Sequence, residues 1–257
     1  MTSLTDSEIN EAAQSLLDAR ARRSKLDDLV PTPASAAEGY AIQDATIELN
    51  EASVVGWKVG ATSPFALKLF NTDEPFAGPI FEGTIFHGTA DASGFMGPSV
   101  EGEIAFVLSD DLPVRDDEYS RDEIVAAIGE AYGAMELVES RIEGFPPTLG
   151  NMIADCSGNG GLLLGAPSGD WPNIDLLATT ASMTIGDEVV GSGLGADAYG
   201  DPVESLRWLA NHLSGRGHGL SAGMFVTTGS CTGIAPLPSG GVAVADFGSL
   251  GQVTANG

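Results

Sequence analysis

The sequence predicts an α+β protein in which a helical N-terminal piece precedes a mainly β body. Before residue 53, apolar residues recur at the three- and four-residue spacing of an amphipathic helix. From Val54 onward they occur in short runs separated by glycine and proline, which is typical of strands. At 257 residues the chain can bury one large core, and its composition suggests no second domain. We therefore expect a single domain over residues 1–257, helical over 1–52 and mainly β over 53–257.

Four helices are expected from their start signals and apolar spacing. The first runs from a capping box at Thr5 to about Arg23, and the second covers residues 34–51. Ser120 begins a second capping box and predicts a third helix. Asp201, which a proline follows, is expected to cap the fourth.

Ten short runs are predicted as strands because each is apolar and bounded by turn-forming residues. They cover residues 54–59, 79–86, 100–108, 134–140, 161–164, 182–185, 188–191, 224–228, 241–246 and 250–254. Gly186 and Asp187 separate two of these runs and predict a hairpin turn.

The charge of the chain excludes several classes of partner. Its 36 acidic and 11 basic residues give a net charge of −25, which would repel nucleic acid and anionic membranes. No apolar run approaches the roughly 20 residues that span a bilayer. The acidic N-terminus lacks the basic and apolar regions of a signal peptide, and the only cysteines are Cys156 and Cys231. We therefore expect a cytoplasmic protein.

Glu101 and Glu103 are the first candidates for a functional site. Side chains alternate along a strand, so these two acids share one face while Ile104 points to the other. Glu136 lies in a similar apolar run. Three carboxylates buried together would take up protons or bind a cation, and an oxygen-only set suits a hard ion such as Mg²⁺ or Mn²⁺. The alternative is that all three are solvated surface acids.

Lys58 lies in an apolar run that ends in glycine, which is an unusual place for a lysine. It is expected to hold a substrate carboxylate or move a proton, unless it lies on an edge strand and faces water. Ser230 and Thr232 follow a strand and could bind a ligand, although they could equally form a turn. The G-x-G-x-x-A match at residues 191–196 is interpreted as a loop, because Asp197, Gly200 and Pro202 stand where the helix of a dinucleotide-binding motif should begin.

Four motifs stand in order along the chain: G-W-K-V-G-A-T-S at 56–63, V-E-G-E-I-A at 100–105, E-L-V-E-S-R-I at 136–142, and residues 223–232. Together they resemble the 2-keto-4-pentenoate hydratase branch of the fumarylacetoacetate hydrolase superfamily. The resemblance implies mixed, rolled β-sheets with outer helices, like the C-terminal domain of fumarylacetoacetate hydrolase. It also implies a divalent ion held by Glu101, Glu103 and Glu136, with Lys58 beside it. Members of this kind are oligomers, and exposed strand edges need covering, so we expect at least a homodimer.

Two departures from that branch fall in the expected substrate site. Its members commonly carry a proton-transferring aspartate in an E-P-D-aromatic-G stretch, where this chain has Phe76 followed by Ala77. Their A-D-N-A-S stretch appears here as A-D-C-S-G, which moves the hydroxyl to Ser157. We therefore expect substrate contacts from Phe76, Ala77, Ser157, Ser230 and Thr232.

The resemblance implies a metal-dependent lyase that adds water across the conjugated alkene of a 2-oxo acid or its enol. Because the departures alter the substrate side of the site, decarboxylation of the 4-oxalocrotonate type and C–C bond hydrolysis remain alternatives. A third hypothesis, from another class, is a metal-binding or scaffold protein without catalysis.

Overall fold

The computed structural model describes residues 3–144 and 147–257, which contain six α-helices. These are α1 (Asp6–Arg22), α2 (Ala36–Leu49), α3 (Pro64–Phe70), α4 (Arg121–Ala127), α5 (Leu149–Ala154) and α6 (Pro202–Gly215). Thr5 and Ser120 form the two predicted capping boxes, and Asp201 caps α6. The four predicted helices are therefore confirmed. Sequence spacing missed α3 and α5, which have seven and six residues and are too short to show a helical period.

Twelve strands form two sheets in the described residues. The strands are β1 (Val54–Gly60), β2 (Phe76–Phe81), β3 (Ile85–His87), β4 (Thr89–Asp91), β5 (Ser99–Leu108), β6 (Ile128–Val138), β7 (Asn159–Leu164), β8 (Thr180–Ile185), β9 (Glu188–Leu194), β10 (Phe225–Pro236), β11 (Val242–Asp246) and β12 (Gln252–Asn256). One sheet has the order β2-β1-β10-β5-β6-β7-β3 and the other β4-β12-β11-β8-β9. The pairs β1–β10, β3–β7 and β4–β12 are parallel and the rest antiparallel, which confirms the predicted mixed α+β fold.

The two faces of the seven-stranded sheet have different roles, because successive side chains along a strand point to opposite sides. One face sends Trp57, Ile104 and Phe106 into the main core, to which the five-stranded sheet and α6 also contribute. The other face carries Lys58. A smaller apolar cluster lies on this face, built from Ile80, Ala105, Tyr132, Ala134, Leu162 and Leu164.

The N-terminal helices support two segments beside the Lys58 face. They pack with α5 through a cluster that contains Ala12, Ala13, Leu16, Leu29, Ile42, Ala45, Ile142 and Ala154. From α2, the buried Gln43 donates side-chain hydrogen bonds of 2.9 Å to the carbonyls of Ala77 and Ile153. Because Ala77 belongs to β2 and Ile153 to α5, the helical piece fixes these segments relative to each other.

The predicted strand at 79–86 is wrong as a single element. The chain turns after Phe81, where Gly83 has a φ of 83°, and resumes in β3 at Ile85. The Thr84 hydroxyl closes the turn by donating a 2.7 Å hydrogen bond to the Phe81 carbonyl. Gly83, flanked by Glu82 and Thr84 inside the run, is the turn signal that the single-strand prediction passed over.

The predicted loop at 191–196 is also wrong, because its first four residues continue β9. Gly191 and Gly193 pack closely against β10 of the other sheet. A Cβ on Gly191 would lie 2.2 Å from the carbonyl oxygen of Thr232, and a Cβ on Gly193 would lie 2.2 Å from that of Cys231. These glycines therefore serve close packing of two backbones. The predicted hairpin turn at residues 186–187 is confirmed.

No described helix combines the length and apolar character needed to cross a membrane.

The burial of His212 leads to a prediction about how the free energy of unfolding depends on pH. Burial lowers the pKa of His212 from 6.5 to about 4, and repulsion from Arg216 adds to this effect. Between those two values the unfolded chain takes up a proton that the folded protein refuses, so stability is lost as the pH falls through this range. His212→Phe removes the titration and keeps a ring against Trp208, with which His212 stacks at 4.7 Å.

We expect urea unfolding at about pH 7.5 and about pH 5 to show the parent protein losing up to about 2 kcal/mol more stability than His212→Phe. Equal losses for the two proteins would contradict the prediction.

Candidate metal centre

The register of the seven-stranded sheet brings the three acids together. In the antiparallel pair β5–β6, Glu101 lies opposite Glu136, and Glu103 lies opposite Ala134. Residues that lie directly opposite share a face of the sheet. Ligand oxygens of the three carboxylates all lie within 4.8 Å of one another. Strand parity placed Glu101 and Glu103 on one face, and the structure adds Glu136 beside them.

These carboxylates are held in a dry environment. Glu103 and Glu136 are 1% and 0% exposed, and Glu101 is half-buried. The pKa of Glu101 is raised to about 7, because burial and the Glu136 carboxylate, which raise it, outweigh the lowering by Lys58. Burial also raises the pKa of Glu103 well above its usual value, with repulsion from Glu136 as the next cause. The cluster therefore favours a bound positive charge.

Lys58 supplies one positive charge to the cluster. It is 4% exposed, and its Nζ lies 3.0 Å from Oε2 of Glu136. Burial alone would lower the pKa of Lys58, but the carboxylates of Glu136, Glu101 and Glu103 outweigh this effect and raise it. The alternative of an edge-strand lysine is excluded, because β1 lies between β2 and β10. Lys58 is a charged ammonium inside the site.

The residues present fit a divalent cation. Three acids face one ammonium, so with all three ionised, the state that a bound divalent cation favours, the cluster has two more negative charges than Lys58 offsets. Apart from the Lys58 contact, Oε2 of Glu136 accepts no hydrogen bond from residues 3–144 and 147–257, although it is fully buried. An oxygen-only donor set with an available buried carboxylate oxygen suits a hard divalent ion.

Two of the acids also have a neutral hydrogen-bond donor that sets their orientation. Asn159 donates a 3.0 Å hydrogen bond from Nδ2 to Oε1 of Glu136, and the backbone N–H of Gly229 donates at 2.8 Å to Oε2 of Glu103. Donors of this kind orient metal ligands in known metal sites. The Ser230 hydroxyl, which donates a 3.2 Å hydrogen bond to the Gly233 carbonyl, lies near Glu101 and lowers its pKa.

A strained turn carries a further contact to Lys58. Cys156, Ser157 and Gly158 follow α5 with φ values of 52°, 56° and 70°, so three consecutive residues are in the left-handed region. The turn aims the Ser157 carbonyl at Lys58, whose Nζ donates a 2.8 Å hydrogen bond to it. Non-glycine residues occupy this region only where surrounding contacts enforce it, and such strain is concentrated at functional sites.

Arg141 supplies contacts that enforce the turn. It is 1% exposed and forms an ion pair with Asp155, the residue that precedes the turn. Its backbone N–H donates to Oδ2 of Asp155 at 2.8 Å, and its guanidinium donates to the carbonyls of Asp155 and Asn159. Arg141 is thus bonded to the turn that holds Lys58 and to the backbone of the residue that orients Glu136.

The residues expected to contact substrate have different positions relative to the three acids. Ala77 accepts the Ser157 hydroxyl at 2.7 Å through its carbonyl, so that hydroxyl locks the turn to β2. Ser230 lies opposite Glu103, and its hydroxyl donates a 3.2 Å hydrogen bond to the Gly233 carbonyl. The Thr232 hydroxyl accepts a hydrogen bond from the Gly102 N–H, on the face opposite the acids, which places it outside the cluster.

Phe76 forms an apolar wall on the Lys58 face. It is 3% exposed and lies opposite Gly60, two residues along β1 from Lys58. A Cβ on Gly60 would lie 2.2 Å from the Phe76 ring, so the glycine makes room for it. The ring also meets Phe70 edge-on, with centroids 5.2 Å apart. The position that commonly carries a proton-transferring aspartate is therefore packed as part of an apolar cluster beneath α3.

Asn159 and Arg141 were missed as site residues by sequence reasoning. Both act through backbone or side-chain contacts with residues distant along the chain. Arg141 does lie in the E-L-V-E-S-R-I motif, and an arginine in so apolar a chain is a signal that could have been followed.

Comparisons with known proteins identify the class of this fold and site. No protein-family model matches the chain. The solved structure of 4-oxalocrotonate decarboxylase from Pseudomonas putida G7, complexed with magnesium and adipate, superposes with a TM-score of 0.90 at 25% identity. The superposition covers 100% of this chain and 99% of the decarboxylase chain. The fold is that of the metal-dependent enzymes of the fumarylacetoacetate hydrolase superfamily, as expected from the motifs.

The sequence relatives identify the branch. The chain is 31% identical to 2-hydroxyhexa-2,4-dienoate hydratase from Comamonas testosteroni over 210 residues, which is 79% of each chain. It is also 31% identical to 2-keto-4-pentenoate hydratase from Burkholderia vietnamiensis over 222 residues, 84% of each chain. This chain belongs to the 2-keto-4-pentenoate hydratase family of that superfamily.

The carboxylates make a prediction about metal binding. Glu103→Gln and Glu136→Gln each remove a ligand charge while nearly keeping the shape, and Glu101→Gln does the same at the more exposed position. We expect Mg²⁺ or Mn²⁺ affinity, measured by calorimetry, to fall by more than the roughly 10- to 100-fold that follows loss of an outer-shell partner.

Glu130→Gln is the matched control, because Glu130 lies on the same strand but hydrogen-bonds to Tyr132 outside the cluster. Its metal affinity should match that of the parent protein. Unchanged affinity in the variants of the three clustered acids, or full activity in EDTA, would overturn the metal site.

Proposed function

We propose that this protein is a divalent-metal-dependent lyase that adds water across the conjugated alkene of a 2-oxo acid or its enol. The observation that carries the proposal is the cluster of three buried carboxylates with Lys58 on one sheet face. The hydratase names of its relatives support the same reaction. We further propose Mg²⁺ or Mn²⁺ as the metal, held by Glu101, Glu103 and Glu136, and one catalytic domain over residues 1–257.

The metal has a defined part in this reaction. When bound, a divalent ion supplies a Lewis acid that withdraws electrons from a chelated 2-oxo acid. Glu101, Glu103 and Glu136 would hold the ion and, as three ligands, would leave room on it for oxygens of the substrate and of water.

Lys58 orients the substrate in this proposal. An ammonium has three N–H donors, and the contacts with Glu136 and the Ser157 carbonyl use two of them. The third is available for a substrate oxygen beside the carboxylates. Because the surrounding acids keep Lys58 charged, it binds an anionic oxygen strongly and also holds a proton within reach of the reacting atoms.

The other residues expected to contact the substrate have separate roles in this proposal. Phe76 replaces a group that transfers protons with one that excludes water and packs against a substrate tail. Ser230 lies opposite Glu103 at the edge of the cluster, where its hydroxyl can reach a ligand. We propose that Ala77 and Ser157 act through the turn that holds Lys58, and that Thr232 acts through the backbone of β5.

Decarboxylation of a 2-oxo acid is the second candidate. It requires the same electron withdrawal, but no proton donor at the position of Phe76. The structural similarity to 4-oxalocrotonate decarboxylase favours this alternative over C–C bond hydrolysis. A deuterium-exchange experiment distinguishes the hydratase and the decarboxylase from a metal-binding protein without catalysis. The non-catalytic protein would not exchange the C3 protons of pyruvate-like acids in D₂O.

A panel of 2-oxo acids and their dienols, assayed with Mg²⁺, with Mn²⁺ and with EDTA, tests the function. We expect metal-dependent loss of the dienol absorbance without release of CO₂. Substrates with an apolar end should be preferred over short polar ones, because Phe76 offers them an apolar wall. Release of CO₂ would establish the decarboxylase alternative, and no turnover together with no C3 exchange would overturn both.

We also propose that the protein is a cytoplasmic homo-oligomer. The edge strand β9 exposes Val189, Val190 and Leu194, and an apolar sheet edge is normally covered. Light scattering at about 0.15 M salt or above, where surface repulsion is screened, should give at least the mass of a dimer. A strictly monomeric mass would contradict this proposal.

A further inference from the structure

Thr227 in β10 carries a buried hydroxyl that the fold does not use. The residue is 0% exposed, and its Oγ1 has no hydrogen-bond partner in the part of the chain that the structure describes. Most buried side-chain hydroxyls are hydrogen-bonded, because desolvation without compensation is unfavourable. A valine would fill the same space without this penalty. The threonine therefore needs an explanation outside the packing of the sheet.

The sheet register places Thr227 on the face of the carboxylate cluster. It lies opposite Lys58 in the parallel pair β1–β10, and opposite Ala105 in the antiparallel pair β10–β5. Ala105 follows Glu103 by two residues and so shares its face. Adjacent strands lie about 4.8 Å apart, so the Thr227 side chain is a direct neighbour of the Lys58 side chain.

The next residue along β10 has an ordinary structural role. Thr228 is also 0% exposed, but its hydroxyl donates a 2.8 Å hydrogen bond to the carbonyl of Ile104. The same residue type at consecutive positions is thus satisfied by the protein in one case and left without a partner in the other. The unsatisfied hydroxyl is the one that faces the site.

The surroundings of Thr227 suggest what it binds. On one side is the Lys58 ammonium, whose contacts with Glu136 and the Ser157 carbonyl leave its third N–H available. On the other is the methyl group of Ala105, which offers no competing acceptor. A hydroxyl and an ammonium side by side can both donate to one anionic oxygen, and charge-assisted hydrogen bonds of this kind are strong.

We propose that Thr227 is a substrate-binding residue whose hydroxyl donates to a carboxylate oxygen that Lys58 also holds. The inference rests on the proposed function, since it assigns the Lys58 side of that site to an anionic 2-oxo acid. It adds a residue that makes contact with substrate but has no part in holding the metal.

Three variants and two measurements test the proposal. Thr227→Val removes the hydroxyl and keeps the shape, Thr227→Ser keeps the hydroxyl, and Thr228→Val is the matched control. Each full-length protein is loaded with Mg²⁺ and titrated with oxalate, a small dicarboxylate probe, by calorimetry. Thermal unfolding of each variant is measured without oxalate.

For Thr227→Val we expect unchanged or higher thermal stability, because no protein hydrogen bond is lost, together with about tenfold weaker oxalate binding. Thr227→Ser should bind oxalate within about threefold of the parent protein. Thr228→Val should show the opposite pattern, with a lower melting temperature and parent-like oxalate affinity, because it loses only a structural hydrogen bond.

Oxalate affinity in Thr227→Val equal to that of the parent protein would overturn the proposal, as would a loss of stability like that of Thr228→Val. These outcomes are distinct from failure of the proposed function. A parent protein that binds oxalate but turns over no 2-oxo acid would refute the reaction and leave the binding role of Thr227 measurable. Turnover of a 2-oxo acid with a KM unaffected by Thr227→Val would refute only the inference.

Discussion

The burial of three carboxylates beside a single lysine is the constraint on which this structure depends. Glu103 and Glu136 are almost fully removed from water, and Lys58 compensates for only part of their charge. Removing an ionised group from water is unfavourable unless partners replace the water. The fold meets this requirement with directed donors, the Asn159 side chain and the backbone N–H of Gly229. What the cluster lacks is a second positive charge in a fixed place, which is the property that selects a cation and an anionic ligand bound through it.

A second buried cation, Arg141, fixes the position of Lys58. The guanidinium and backbone of Arg141 hold Asp155 and the carbonyl of Asn159. One path then leads through the strained turn to Lys58, and the other through the Asn159 side chain to Glu136. Since Lys58 and Glu136 are themselves 3.0 Å apart, the two paths close a loop of buried polar contacts. A closed loop of buried polar contacts makes a site rigid, and rigid ligands and donors are what positioning of a small substrate requires.

Much of the fold was predictable from local signals, because capping residues and apolar spacing act over a few positions. The helices that such signals mark were found, and the very short α3 and α5 were not. For the site, strand parity related Glu101 to Glu103, since both lie on one strand. It could not place Glu136 opposite Glu101, because register between strands depends on the whole sheet. The unpaired hydroxyl of Thr227 is likewise invisible in the sequence, where it cannot be told from the bonded hydroxyl of Thr228.

The strand order has a consequence for how the protein is made. The N–H that orients Glu103 comes from Gly229, 126 residues later, and the carbonyl that holds Lys58 comes from Ser157, 99 residues later. Contacts of such separation form late and slow the folding of a chain, because much conformational entropy is lost before they can form. During synthesis, the acids of β5 and β6 emerge long before β10 can be inserted between β1 and β5. A nascent chain therefore carries its acidic cluster in an immature form, and a protein stopped short of β10 would have the ligands without the site.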